Sequence, residues 1–133
     1  MIPSNNILST NLKVEIQPSK NYKMHIDLDS ISGTCDKLEA MHQVIYKILN
    51  TERYQHIIYS WNYGIELLDL YGEPVTYVCP EVKRRITEAL IQDDRIKSVD
   101  DFDFDLTERR TVKVTFTVHT IFGELKEEKV VNF

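Results

Sequence analysis

Beginning at Tyr22 the chain alternates. Tyr22, Met24, Ile26 and Leu28 share one parity while Lys23, His25 and Asp27 share the other, the two-residue repeat of a half-buried strand. The pairs Asp29-Ser30 and Ser32-Gly33 interrupt it. The period then changes. Leu38, Met41, Ile45, Ile48 and Leu49 recur at intervals of three and four, which draws one apolar stripe along a helix. Asp36 and Glu39 stand in the D-x-x-E spacing of a capping box at its start, and Asn50-Thr51 suits its end. From Gln55 to Gly64 the residues are β-branched and aromatic, with Ile57, Tyr59, Trp61 and Tyr63 on one parity, a pattern that predicts a strand closed by a glycine turn.

Ile65 to Leu70 suits a short helical turn, and Gly72-Glu73-Pro74 marks a turn. Pro80 reads as the first residue of a second helix, where its missing N–H costs nothing. Val82, Ile86, Ala89 and Leu90 supply that helix's buried stripe. The last third alternates again: Phe102, Phe104 and Leu106 against three aspartates, then Val112, Val114, Phe116 and Val118 against Lys113, Thr115 and Thr117. Gly123-Glu124 signals a hairpin, and Leu125 to Val131 returns as the final strand. The expected fold is α+β: two helices packed on a mostly antiparallel sheet of about four to five strands. Residues 1–20, polar and broken by Pro3 and Pro18, predict an extended N-terminal arm before a single domain at 21–133.

Composition narrows the chemistry. The 133 residues are 42% hydrophobic and 28% charged with a net charge of −5, enough apolar content for a core and the wrong sign for a nucleic-acid partner. No stretch is apolar enough for a membrane helix, and MIPSNNILST lacks the basic and apolar regions of a signal peptide; the expectation is a protein made and kept in the cytoplasm, or exported by a route other than a cleaved signal. Cys35 and Cys79 form no CxxC pair and no disulfide framework.

Each candidate chemistry meets a plainer reading. Asp101, Asp103 and Asp105 imitate the start of a calcium loop, but Leu106 and Val112 occupy the positions that need Gly and a bidentate Glu. A strand surface kept wet by charge fits better. His25, His42, His56 and His119 lack ligand spacing for zinc. Neither a Gly-rich phosphate loop nor a G-x-S-x-G elbow occurs, so neither a metal nor a cofactor is expected. Glu52 is the best available acid for a two-carboxylate glycosidase, although a chain with 21 acidic residues offers many pairs by chance. Tyr59, Trp61 and Tyr63 could stack on sugars, but an aromatic stripe on a strand belongs more often to a core. Lys83, Arg84 and Arg85, spaced against Glu81 and Glu88, read as a solvated helix face.

Three segments carry a resemblance: Ile45-Tyr46-Lys47-Ile48-Leu49-Asn50-Thr51-Glu52-Arg53-Tyr54, Ile58-Tyr59-Ser60-Trp61-Asn62-Tyr63-Gly64, and Ile91-Gln92-Asp93-Asp94-Arg95-Ile96. Together they resemble the small baseplate wedge proteins of contractile phage tails, in the XkdS-like branch found in defective prophages and tailocins, over Tyr22 to the carboxy terminus. The resemblance implies a non-enzymatic structural component of the virion or tailocin particle. It would bind other wedge proteins and the tail sheath protein, extending to tail tube or hub proteins, and template the first sheath ring. Neither nucleic acid nor membrane is an implied partner.

Thr51, Glu52, Arg53, Trp61, Tyr63, Gly64, Asp93, Asp94 and Arg95 are the structural or interface residues so implied, and none of them is catalytic. The wider family carries Glu-Pro-Arg after its second helix. Here Asp93-Asp94-Arg95 keeps the arginine, loses the proline and shortens the acid. Arg53 and Arg95 are each expected to be held by a carboxylate. The alternative function is a tail-associated, lysozyme-like peptidoglycan hydrolase using Glu52; a weaker one is a free regulatory adaptor.

Overall fold

The computed structural model describes residue 15 and residues 18–133. Most of the expected arm therefore lies outside the described residues. Strand β1 (Asn21–His25) pairs antiparallel with β2 (Ser30–Cys35) as a two-stranded sheet. Helix α1 (Lys37–Leu49) follows, then a long loop, helix α2 (Val75–Ile91), and strands β3 (Ile96–Asp105), β4 (Thr111–Thr120) and β5 (Gly123–Asn132). The last three form an antiparallel sheet in the order β3-β4-β5. The α+β class holds, with five strands divided between two sheets.

The core lies between the helices and one face of the three-stranded sheet. Val112, Val114, Phe116 and Val118 on β4 are fully buried, as are Met41, Ile45 and Ile48 on α1 and Val78, Val82 and Ile86 on α2. Helix α2 packs on β3 and α1 on β5, and the two helices touch each other. Asp36 is the N-cap of α1, but its carboxylate accepts from the Lys37 amide at 2.7 Å. Glu39 pairs with Lys23, so the expected capping box becomes a single cap plus a tie to β1.

Five expectations need correction. The first strand ends at His25, and Ile26–Leu28 is a 3-10 turn; Tyr22 and Leu28 are exposed. Ser30–Cys35, which the sequence presents as a break, is itself a strand because it closes a hairpin on β1. Helix α2 starts at Val75, five residues before Pro80. Burial of Val78 and Leu70 outweighs the one helical hydrogen bond that Pro80 cannot donate. Residues 55–64 form no strand. Their amides close short turns instead, Tyr59 N–H to the His56 carbonyl and Tyr63 N–H to the Ser60 carbonyl; Ile57 and Trp61 turn outward while Tyr63 packs against the core. Strand β3 also begins earlier than the pattern suggests, and bulges between Asp100 and Asp103 where Asp101 takes φ +52°.

Candidate functional site

The segment that leaves α1 is fastened to the end of the 55–64 loop by its backbone. Ile65 N–H donates to the Thr51 carbonyl at 3.0 Å, and Arg53 N–H to the Ile65 carbonyl at 3.2 Å. Thr51 Oγ1 donates back to the Lys47 carbonyl at 2.7 Å, which ties this segment to the last turn of α1. Gly64 makes the approach possible. It sits at φ +93°, and a Cβ there would lie 2.6 Å from the Thr51 carbonyl oxygen.

Arg53 and Glu52 complete the clasp. The Arg53 guanidinium donates to the Gly64 carbonyl from Nε and Nη2 at 3.3 and 3.1 Å, and from Nη1 to Glu88 at 3.2 Å. The Glu52 carboxylate accepts the Leu67 amide at 3.0 Å and the Leu68 amide at 3.3 Å, at the start of the 3-10 turn Leu68–Leu70. That carboxylate organises backbone. Glu52→Ala is expected to cost about 2 kcal/mol in denaturant unfolding, because two amides lose a charged acceptor, and Glu52→Gln about half as much. Equal stability of all three chains would show that water replaces the carboxylate.

The second set of expected residues lies at the turn from α2 into β3. Asp93 accepts from Arg95 Nε at 2.9 Å, from Nη2 at 2.7 Å and from the Arg95 amide at 3.0 Å. Arg95 Nη1 also donates to Ser19 Oγ at 3.3 Å, and Ser19 is buried. Burial alone would push the Asp93 carboxyl up; the Arg95 side-chain and backbone hydrogen bonds overcome it and leave the group below its usual range. Asp94 is exposed. Tyr63 stacks on Tyr59 with ring centres 4.5 Å apart. Its phenol is raised by burial first, then by Tyr59 and the Asp93 charge. Trp61 stands apart, 76% exposed, and is not part of the core the aromatic pattern suggests.

Arg85 is the residue that sequence reasoning places wrongly. It is 9% exposed on its side chain and donates to Asp69, to Glu81 at 3.0 Å and to the Glu66 carbonyl at 3.0 Å. The Asp69 hydrogen bond holds its pKa above the ordinary arginine value and lowers that of Asp69. A signal does exist: Arg85 lies three residues after Val82 and four before Ala89, inside the buried stripe. Both pairs expected from the spacing of four form, Glu81 with Arg85 in a half-buried setting and Arg84 with Glu88 at the surface, and Arg84 also reaches Glu81.

The histidines serve other ends. His42 hydrogen-bonds the buried Glu127 across α1 and β5, and burial keeps the Glu127 carboxyl above its usual range despite that partner. His119 bridges the sheet, reaching Asp100 on β3 at 2.8 Å and Glu124 on β5 at 3.2 Å; the Asp100 hydrogen bond raises its pKa. Among the described residues, no group of three or more His, Cys, Asp or Glu side chains is placed to hold a metal ion, and no helix is long and apolar enough to cross a membrane.

The geometry is thus that of a scaffold, with ion pairs and carboxylates spent on holding turns. Comparison with known proteins agrees. The chain is 38% identical over 120 residues to the phage-like element PBSX protein XkdS of Bacillus subtilis (strain 168), a match covering 87% of this chain and 84% of that protein. Residues 13–123, which take in both helices, the clasp and the 93–95 turn, match the family described as contractile injection system sheath initiator, and the chain belongs to that family.

Proposed function

We propose that this chain is a structural component of a contractile tail baseplate wedge, which binds neighbouring wedge subunits and seeds the first ring of sheath. The observation that carries the reading is the position of β5. It ends the sheet order β3-β4-β5, so among the described residues one side of a ten-residue strand has no neighbouring strand and its main-chain groups can be offered to another subunit. Adding a strand there supplies hydrogen bonds, while Glu124, Lys126, Glu128 and Val130, all exposed, set register through cross-strand pairs. Weak contacts of this kind gain avidity when repeated around a ring.

The amino-terminal arm is the second contact in this reading, pairing with sheath or with another wedge subunit. The protein acts in the tail particle and catalyses nothing: the Glu52 carboxylate is committed to backbone amides, whereas a glycosidase acid must be free to reach the glycosidic oxygen. Purified protein is expected to leave the turbidity of a peptidoglycan suspension unchanged, and lysis that Glu52→Gln abolishes would establish the hydrolase instead.

The assembly test is complementation of a strain lacking the gene. Deletion of residues 1–14, and separately the pair Lys126→Glu with Val130→Lys, are expected to reduce sheathed tails in negative-stain micrographs severalfold. Normal sheathed tails from both would end the strand-edge reading, and normal tails from the strain lacking the gene would end the tail role altogether.

A further inference from the structure

Register in the sheet sets Leu125, Glu127, Lys129 and Val131 of β5 opposite Val118, Phe116, Val114 and Val112 of β4. Paired residues share a face, and those four β4 side chains are fully buried. Two of the four core-facing positions on β5 are therefore ionisable. The Glu127 side chain is 9% exposed and Lys129 is half-buried. Neither is fully matched within the chain. Lys129 Nζ donates to the Asn50 amide oxygen at 3.0 Å and joins no ion pair among the described residues. Burial depresses its pKa, against the opposing pull of the Glu52 charge. Glu127 meets His42 through Oε1, and its other oxygen has no hydrogen-bond partner among the described residues.

Both charges lie on a strand that ends the sheet. An inward-facing charge on an edge strand turns away an apolar strand, because covering it strips its remaining water without replacing it. A strand that brings the opposite charge is admitted, so the same residues reject and select. We infer that the strand received by β5 comes from another tail subunit and carries a carboxylate opposite Lys129 and a lysine or arginine opposite Glu127. This rests on the strand-edge reading proposed above and specifies the partner for that edge.

The space beside β5 suits one added strand. Helix α2 packs on β3 and α1 on β5. With strands about 4.8 Å apart, β3 and β5 are separated by about 10 Å, the spacing of two packed helices. Helix α1 thus stands above the edge strand and, being about 10 Å across, overhangs it. His42 on that side reaches Glu127 and also lines a groove of about 440 Å³, walled opposite by β1 and the 3-10 turn Ile26–Leu28. Lys23 and Glu39 in its lining pair with each other, which leaves Asp27 and favours a cation there. A second copy would match the charges by setting its Lys129 against Glu127. It would also bring its own α1 onto the same face, across strands about 4.8 Å apart, where packed helices need about 8–10 Å.

The test uses assembled particles. Carbodiimide condenses an ammonium with a touching carboxylate into an amide. On purified tails it is expected to join Lys129 to an Asp or Glu of a different tail subunit, read by mass spectrometry of the digest. In the strain lacking the gene, Lys129→Met is expected to lower the amount of this chain retained on tails about tenfold, because the partner's carboxylate loses its counter-charge. The melting temperature of the purified variant should stay level or rise, since an apolar side chain of similar length replaces a half-buried ammonium. Lys129→Arg keeps the charge and is expected to be retained normally. Crosslinks from Lys129 only within its own chain or to Glu127 of a second copy, no Lys129 crosslink where other lysines react, or full retention of the methionine variant overturns the inference. If Lys126→Glu with Val130→Lys reduces sheathed tails and Lys129→Met does not, the charge assignment fails while the strand-edge reading stands. If neither reduces them, both fall.

Discussion

Gly64→Ala is expected to lower the melting temperature by about 10 °C, the largest effect of any small substitution in the loop. Two costs add. A non-glycine residue at φ +93° is strained by about 1 kcal/mol or more. The new Cβ also lies 2.6 Å from the Thr51 carbonyl oxygen and 3.2 Å from the Arg53 nitrogen; both are backbone, so neither can swing away. Relief requires breaking the bond from Ile65 N–H to the Thr51 carbonyl, which frees the Arg53 and Glu52 contacts behind it. Together these come to about 3 kcal/mol, near 10 °C for a chain of this length. Gly72→Ala separates the two costs. Gly72 has φ +84°, and a methyl placed there would meet nothing within 4 Å, so its replacement is expected to lose about 1 kcal/mol and 3–4 °C. Equal losses at both positions, measured by calorimetry, would mean that the close approach at Thr51 contributes nothing.

The clasp also shows why part of this site is legible in the sequence and part is not. Thr51, Glu52, Arg53 and Gly64 stand in two of the segments that carry the resemblance, and the structure brings all four together. Helix α1 is readable because one apolar stripe and one cap agree. The loop that follows it misleads because β propensity reports how a side chain suits a pleated, half-buried surface, and among the described residues no strand pairs with 55–64 to provide one. Ile57 and Trp61 therefore satisfy the alternation and still face solvent. Pro80 misleads in the opposite direction: its preference for helix starts is real, but Val78 sits in the core and draws the helix back to Val75. Arg85 is hidden by its neighbours, since Lys83 and Arg84 make it look like part of a charged face. A partner such as Asp69, sixteen residues away, leaves no mark in local spacing. The arginine's place in the three-and-four repeat is the available sign.

Arg95→Met is expected to cost about 2–3 kcal/mol at pH 7, and the cost depends on pH. The Asp93 and Arg95 side chains are 12% and 17% exposed, so the pair is shielded enough for the loss of one partner to leave a poorly hydrated charge behind. In the parent, Asp93 titrates below its unfolded value. Its contribution to stability is therefore present above the unfolded pKa, near 4, and is lost as the pH falls through the lower folded value. In the methionine variant, burial, the strongest single influence on that carboxyl, is opposed by the residue 95 amide without the guanidinium. The carboxylate is then a burden at neutral pH, and protonation relieves it. The stability gap between parent and variant should be widest at pH 7 and should narrow as the pH falls, first as the variant's carboxyl takes up its proton while the parent's is still charged, and fully only below the parent's lowered value, where neither chain holds the charge. Arg95→Lys, which keeps the charge but forgoes the two-pronged geometry, should fall between them at pH 7. Urea unfolding of the three chains at pH 7, 5 and 3.5 measures this directly. A gap that stays constant across that range would place the cost elsewhere, in the lost contact from Arg95 to Ser19 or in the packing of the methionine, and would remove Asp93 as the reason the arginine is needed at this turn.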